Sequence, residues 1–251
     1  MSNQEKSLAV VVLAAGKGTR MESPLPKVLQ PLQGKAMIHH LLESVSQLPV
    51  DQSVVVIGPQ MDNVRDAVAP LPVVIQQQQL GTGDAVKASR ELLQDFSGDV
   101  LVVYGDTPLI SPHTLQRLVD ARREADDPAV VVLGFRPKDP AEYGRLLPGI
   151  DGELQAIVEY LDCSEYLRHS NLCNSGVMAF DGSRMFQLLD AIGSDNAKQE
   201  FYLTDVVSIA RRQGMHCRFI EADAMEVLGI NTKAELAEVE QWLESHREAV
   251  L

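Results

Sequence analysis

Residues 8–27 read LAVVVLAAGKGTRMESPLPK. The stretch opens on an unbroken apolar run, Leu8 to Leu13, of the kind found in strands buried on both faces. Two alanines then lead into a turn where Gly16 and Gly18 let the backbone adopt φ > 0 and approach a ligand closely, so that main-chain N–H groups can face phosphate oxygens. Lys17, Arg20 and Lys27 bring cations to the same short region. Strand, glycine turn and cations in that order describe a cradle for a compact polyphosphate. Two better-known phosphate loops do not fit. Met21 stands where G-x-G-x-x-G needs its third glycine, and Gly16-Lys17 is followed by Gly18 instead of the Ser or Thr of a Walker A loop.

The rest of the chain gives that local charge its weight. The 251 residues carry a formal net charge of -13, yet residues 1–35 hold Lys6, Lys17, Arg20, Lys27 and Lys35 against Glu5 and Glu22 alone. A surface this acidic repels long nucleic acid, which needs a basic face. A local positive segment suits one small polyanion. With 45% hydrophobic residues the chain can bury a full core. No apolar run approaches the roughly 18 residues of a membrane span, and MSNQEKS is not a basic segment leading into an apolar one, so a cytoplasmic protein with no membrane partner is expected. Cys163, Cys173 and Cys217 never fall in C-x-x-C, nor the histidines in H-x-x-x-H. Buried thiols in a reducing compartment are expected, without a disulfide framework or a zinc site.

Strand-like runs recur at Leu8–Leu13, Ser53–Ile57, Val73–Gln76, Val100–Tyr104 and Ala129–Phe135, with helical periodicity between them. Ile38, Leu41, Leu42, Val45 and Leu48 mark the buried face of a first helix. Further helices are expected over Met61–Val68, over Asp84–Leu93 and from Ser111, where Pro112 takes the first helical position. Strand and helix in repeated alternation predict an α/β fold: a mostly parallel sheet with helices on both faces. After Phe135 come shorter strands at Gly144–Leu147, Leu154–Glu159 and Ser175–Phe180, a β-rich insertion suited to the wall of a second pocket. Helices resume near Arg184 and Leu203, and a last one over Lys233–Arg247 opens with Thr232 and Glu235 at the capping-box spacing.

Ligands of open parallel sheets bind beyond the carboxyl ends of the strands. The loop after Leu13, the segment Gln76 to Thr82, Tyr104-Gly105-Asp106 and Gly229-Ile230-Asn231 occupy such ends. Asp106 closes the apolar run VLVVYGD. A carboxylate there must cap a helix, meet water or hold a cation. Ser111 is better placed to cap, and of water and a cation the preferred reading is a metal. Asn231 is a second oxygen donor, and Mg²⁺ is commonly held by one or two protein oxygens together with substrate phosphates.

The segments LAAGKGTRM, LPK, QLGTG, YGD, PLI, YGR, IVE, EFYLTD and EVLGIN follow one another between about Leu8 and Asn231. In this order they resemble the uridyltransferase half of the bacterial bifunctional N-acetylglucosamine-1-phosphate uridyltransferases and glucosamine-1-phosphate acetyltransferases, within the sugar nucleotidyltransferases. The resemblance implies a Rossmann-like nucleotide-diphospho-sugar transferase fold. It implies Mg²⁺-dependent transfer of UMP from UTP to N-acetylglucosamine 1-phosphate, with release of pyrophosphate, as a step toward cell-wall peptidoglycan. It also implies roles for single residues. Arg20 and Lys27 meet the phosphates as catalytic groups; Leu13, Ala14, Ala15, Gly16, Gln76, Gly81 and Thr82 bind the nucleotide, with Gln76 reading the uracil edge. Tyr104, Gly144, Glu159 and Asn174 contact the acceptor sugar, and Asp106 and Asn231 hold the Mg²⁺. The chain is expected to be one nucleotidyltransferase domain over residues 1–251, with a nucleotide-binding part to about 135, a sugar-binding part over about 136–225 and a C-terminal helix at 232–248.

The chain departs from the family pattern at Asp84, where His is usual, at Leu161, where Lys is usual, and at Ser175, where Thr is usual. It has no hexapeptide repeats before Leu251, so acetyl transfer is not expected, and the oligomeric state stays open. Transfer to another sugar 1-phosphate, use of another nucleotide such as dTTP, and binding of a nucleotide sugar without catalysis are the alternatives. D-x-D, the metal motif of many glycosyltransferases, is absent.

Overall fold

In a strand, successive side chains point to opposite faces. The computed structural model describes residues 6–245, and in it every residue of Leu8–Leu13 is buried. Ala9, Val11 and Leu13 belong to one hydrophobic cluster, Leu8, Val10 and Val12 to another. A strand apolar at every position therefore has a covering layer on each side.

In chain order the elements are β1 (Leu8–Leu13), the hairpin strands β2 (Pro31–Leu32) and β3 (Lys35–Ala36), α1 (Met37–Ser46), β4 (Gln52–Ile57), α2 (Asp62–Ala67), β5 (Val73–Ile75), α3 (Thr82–Lys87), α4 (Arg90–Leu93) and β6 (Asp99–Tyr104). There follow α5 (Pro112–Arg122), β7 (Val130–Phe135), β8 (Arg145–Pro148), β9 (Leu154–Val158), α6 (Glu165–Arg168), β10 (Cys173–Asp181), α7 (Gly182–Asp190), α8 (Asp205–Arg212), β11 (Cys217–Ala222) and α9 (Lys233–Ser245). The main sheet runs β11-β7-β10-β6-β1-β4-β5, and β8 and β9 extend it as an antiparallel hairpin beside β10. β1 is parallel to β4 and β6, β4 to β5, and β7 to β11. Helices α3, α7 and α8 supply one cluster, and α1, α2 and α5 the other. The α/β architecture expected from the alternation of elements is the one formed.

Three details differ from the sequence-based expectation. The helix expected over Asp84–Leu93 is two helices, because buried Ser89 donates both its N–H (3.0 Å) and its hydroxyl (2.7 Å) to the Val86 carbonyl and tightens the chain there. β11, with the mixed sequence CRFIEA, carries too weak an alternation to be anticipated. Most consequentially, β10 starts at Cys173 and lies antiparallel between β6 and β7, which the simple strand-helix repeat would have placed side by side.

The insertion of β10 sets Asp181 directly opposite Asp99. Like charges facing across a strand pair repel, and here arginines resolve the conflict. Arg122, only 1% exposed, has its guanidinium 3.5 Å from Asp99 Oδ1, 3.3 Å from Asp181 Oδ2 and 3.0 Å from Asp127 Oδ1. Arg123 donates to Asp99 Oδ2 at 2.7 Å, and Arg184 reaches Asp127 and Asp181. At the far end of the chain the expected capping box forms: Thr232 Oγ1 accepts from Glu235 N at 3.2 Å, and Glu235 Oε2 accepts from Thr232 N at 2.9 Å. The expected residues 246 and 247 of that helix lie outside the described residues.

Removing one member of a buried ion cluster strands the others, at a cost of about 3–5 kcal/mol. Arg122→Ala is expected to lower the unfolding free energy by that amount in urea titration. A loss below about 1 kcal/mol would show that the cluster does not hold β10 in place.

Candidate active site

β1 and β6 end side by side, and the chain leaves the sheet there in two loops. Gly105 N donates to Leu13 O at 2.9 Å, so these loops part at a fixed point. Ile230 N donates to Asp106 O at 3.0 Å and brings the Gly229-Ile230-Asn231 segment to the same place. From the other side, Gln79 donates its side-chain amide to Ala15 O. Three of the four segments expected at the strand ends line one cleft of about 550 Å³, and the fourth, Gly229-Ile230-Asn231, is joined to it through Asp106 and Lys27.

All seven residues expected to bind nucleotide, Leu13, Ala14, Ala15, Gly16, Gln76, Gly81 and Thr82, line that cleft, as do Lys27, Tyr104 and Asp106. Gly81 has φ +119°, and a Cβ on it would lie 2.7 Å from Phe201 O, a distance only glycine avoids. Phe201 N donates to Leu80 O and Gly83 N to Phe201 O, both at 2.8 Å, so the EFYLTD segment is zipped to the QLGTG segment and forms a wall. Glu200 and Gln79 also line the cleft and were not singled out from the sequence. Both belong to segments whose motifs were visible; what was not visible was which side chain faces inward.

Lys27 is the centre of charge. Its ammonium pairs with Asp106 Oδ2 and donates to Asn231 Oδ1 at 2.9 Å. Asn231 is oriented for this by donating its own Nδ2 to Gly229 O at 2.8 Å. A carboxylate oxygen and an amide oxygen, brought from positions 125 residues apart, therefore face one cation. This donor set matches what Mg²⁺ accepts. Lys27 is held by Gly18, where φ is +61° and a Cβ would come within 2.6 Å of Lys27 Cβ. Arg20 lies two residues on, exposed in a 3₁₀ turn at Thr19–Met21, and does not line the cleft.

The expected sugar contacts form an adjoining group. Tyr104 reaches it from β6: a Cβ on Gly176 would lie 2.7 Å from the Tyr104 ring. Asn174 N donates to Gly144 O at 2.9 Å, and Asn174 Oδ1 accepts from Gly176 N at 3.0 Å. Glu159 accepts from Thr204 Oγ1 at 3.0 Å. Burial pushes the Glu159 carboxyl above its ordinary range, against the Thr204 hydroxyl and Lys198, which pull it down. Burial likewise raises the Tyr104 phenol, with Glu159 and Asp106 adding to the effect. Gly144, Glu159 and Asn174 do not line the cleft itself. Leu161, where the resembling family has Lys, is exposed.

Among the described residues one other group brings metal-binding atoms within 4.8 Å of one another: Asp126, Glu153 and His216. It lies near the opposite ends of β7 and β11, and arginines already engage its carboxylates, Arg218 at Asp126 (2.6 Å) and Arg211 at Glu153. The three cysteines are buried free thiols, and burial pushes Cys217 up to about 12. His39 and His40 face the carbonyls of Ala67 and Leu32. No described helix is long and apolar enough to cross a membrane.

Comparison with known proteins bears on the family and the fold. The chain is 56% identical over 232 residues to the Bifunctional protein GlmU of Rhodospirillum rubrum, covering 92% of this chain and 52% of that protein. It is 53% identical to the Bifunctional protein GlmU of Paramagnetospirillum magneticum, covering 97% and 54%. The chain thus spans about half the length of these relatives. A solved CMP:2-keto-3-deoxy-manno-octonic acid synthetase complexed with CTP superposes with a TM-score of 0.68, covering 96% of this chain and 99% of that one. At 17% identity that likeness bears on the fold alone. Residues 10–169, from within β1 to just past α6, match the MobA-like NTP transferase domain, and the chain belongs to that family of nucleotidyltransferases.

Proposed function

We propose that this nucleotidyltransferase moves UMP from UTP to N-acetylglucosamine 1-phosphate, forming UDP-N-acetylglucosamine and pyrophosphate with Mg²⁺ as cofactor, and that the whole chain acts as one domain for this reaction. The observation that carries the reading is the meeting of Asp106 and Asn231 at the Lys27 ammonium, with Lys27 and Asp106 lining the same cleft as Gln76. The resemblance to uridyltransferases adds the choice of nucleotide and sugar.

Transfer at a phosphorus depends mainly on alignment and on neutralising charge. Asp106 and Asn231 would hold Mg²⁺, which when bound supplies positive charge to the triphosphate oxygens. Lys27 has a flexible stem and a compact ammonium. Once its two oxygens are otherwise engaged, it can turn to the phosphates and stabilise the departing pyrophosphate. Arg20, exposed on the neighbouring turn, is suited to close over the phosphates from the solvent side. The main-chain N–H groups around Ala15 and Gly16 present further donors to them.

Gln76 would read the base and Gly81 and Thr82 support it. At the other side, Tyr104, Gly144, Glu159 and Asn174 would receive the sugar. Glu159 is a strong acceptor for sugar hydroxyls because its surroundings are largely dry. The sugar phosphate oxygen then attacks the α-phosphorus in line with the leaving pyrophosphate.

Two outcomes test the reading. Asp106→Asn preserves size and an oxygen acceptor for Lys27 but removes the anionic charge. It should fold normally by circular dichroism and lose about 10²–10³-fold in Mg²⁺-dependent pyrophosphate release from UTP and N-acetylglucosamine 1-phosphate. Full turnover would contradict the metal assignment, and faster turnover with another sugar 1-phosphate or with dTTP would replace the substrate assignment. Glu159→Gln bears on the acceptor side. A carboxyl whose folded pKa is raised adds stability that is complete below its unfolded pKa and is lost as pH rises through the folded value. Glu159→Gln removes that loss, so it should be more stable than the parent at pH 7, with the advantage fading as pH falls toward 4.5. The same variant should raise KM for the sugar phosphate more than KM for UTP. An unchanged acceptor KM would remove Glu159 from the sugar site.

A further inference from the structure

A glutamine side chain carries two N–H donors and one acceptor oxygen, and which of them a ligand meets depends on what holds the amide. Gln76 is 5% exposed on the cleft wall. Its Nε2 donates to Gly81 O at 2.9 Å and to Asp84 Oδ2 at 2.8 Å, so both of its hydrogens are engaged. Turning the amide over would set Oε1 against a carbonyl and a carboxylate, with no hydrogen to share between them. The chemistry of its partners therefore fixes the orientation.

Those partners are themselves held. Leu80 N donates to the same Asp84 oxygen at 3.2 Å. The start of α3 is tied to the EFYLTD segment by the Phe201–Leu80 and Gly83–Phe201 hydrogen bonds and by Leu203 N on Thr82 Oγ1 at 3.0 Å. The backbone at Gly81 runs so close to Phe201 that an added Cβ would lie 2.7 Å from Phe201 O and 2.9 Å from Phe201 N. Asp84 is thus a fixed acceptor that leaves Gln76 with only Oε1 to offer.

From this arrangement we infer that Asp84 is a positioning residue for base choice: it locks Gln76 as an acceptor and sets the cleft for a base that presents a ring N–H, as uracil does. Cytosine has an acceptor nitrogen at the corresponding ring position and would face oxygen against a lone pair. A buried site built for one hydrogen-bonding pattern rejects its mismatch because polar groups are left unpaired. The departure at position 84 from the histidine of the resembling family thereby gains a role at the base end of the cleft. The inference rests on the proposed reading of the base by Gln76.

The test is the equilibrium affinity of the full chain for UTP and for CTP in the presence of Mg²⁺, by calorimetry, for the parent, Asp84→Ala, Asp84→Asn and Gln76→Ala, with thermal melts as a check on folding. Freeing the amide lets it turn and offer an N–H to cytosine. Asp84→Ala should therefore cut the UTP-over-CTP preference by about tenfold, roughly the worth of one hydrogen bond. Asp84→Asn, which keeps an acceptor oxygen and the size of the side chain, should lose less and guards against a folding defect in the alanine variant. Gln76→Ala should lose most of the preference. If Gln76→Ala loses it while both Asp84 variants keep the parent ratio, Gln76 reads the base but Asp84 does not position it, and this inference is overturned. An equal weakening toward both nucleotides in the Asp84 variants would overturn it as well, since a merely structural role acts so. If Gln76→Ala keeps the parent ratio, the reading of the base by Gln76 falls too.

Discussion

The ammonium of Lys27 between Asp106 and Asn231 is the contact on which the site depends. It joins the loop after β1, the end of β6 and the segment before α9, three stretches with no sequence proximity. Each also has a reason to be there besides the ion pair. Gly18 lies against Lys27, Gly105 N is bonded to Leu13 O, and Ile230 N is bonded to Asp106 O. The backbone thus brings the charges together, and the charges do not have to drive the fold. That division suits the proposed site, in which the cation and anion would separate and re-pair on a polyphosphate. Both side chains are largely buried, at 14% and 15% exposure, so the pair can part only when each charge gains a new partner, the carboxylate a metal ion and the ammonium a phosphate.

The opposite end of the sheet uses charge differently. There Arg122 is nearly inaccessible and spans Asp99 and Asp181, the two carboxylates that the antiparallel insertion of β10 sets face to face. With partners on several sides, that cluster is suited to fixing strand order. The same insertion carries Asn174 and Gly176 to Tyr104, so the group proposed to receive the sugar is built on the strand that the cluster anchors. Glu159, buried against its own preference for water, is the reverse case, a group whose placement costs stability where the proposed sugar site calls for an acceptor.

Much of this was legible in the sequence because the informative residues sit at strand ends. The run Leu8–Leu13 announced a doubly covered strand, and Ser111-Pro112 and Thr232 with Glu235 announced helix starts. Leu13 to Gly16, Gln76, Gly81 and Thr82 were named through the resemblance to the uridyltransferases, and all of them line one cleft. What was not legible depended on long-range placement. Nothing in CRFIEA or CNSGVMAFD tells that one strand is parallel and the other antiparallel, nor that β10 enters between β6 and β7. The pairing of Lys27 with the residues read as metal ligands, the inward direction of Glu200 and Gln79, and the hold of Asp84 on Gln76 are side-chain facts that no spacing encodes.

The central claim is that Asp106 and Asn231 form the cation site at which the triphosphate is held. Anomalous scattering from crystals grown with Mn²⁺ and UTP tests it most directly. The account predicts a manganese peak coordinated by Asp106, Asn231 and phosphate oxygens, with Lys27 turned away from Asp106 and toward the phosphates. A peak at Asp126, Glu153 and His216 instead, or one bound by phosphate alone with Lys27 still paired to Asp106, would contradict it.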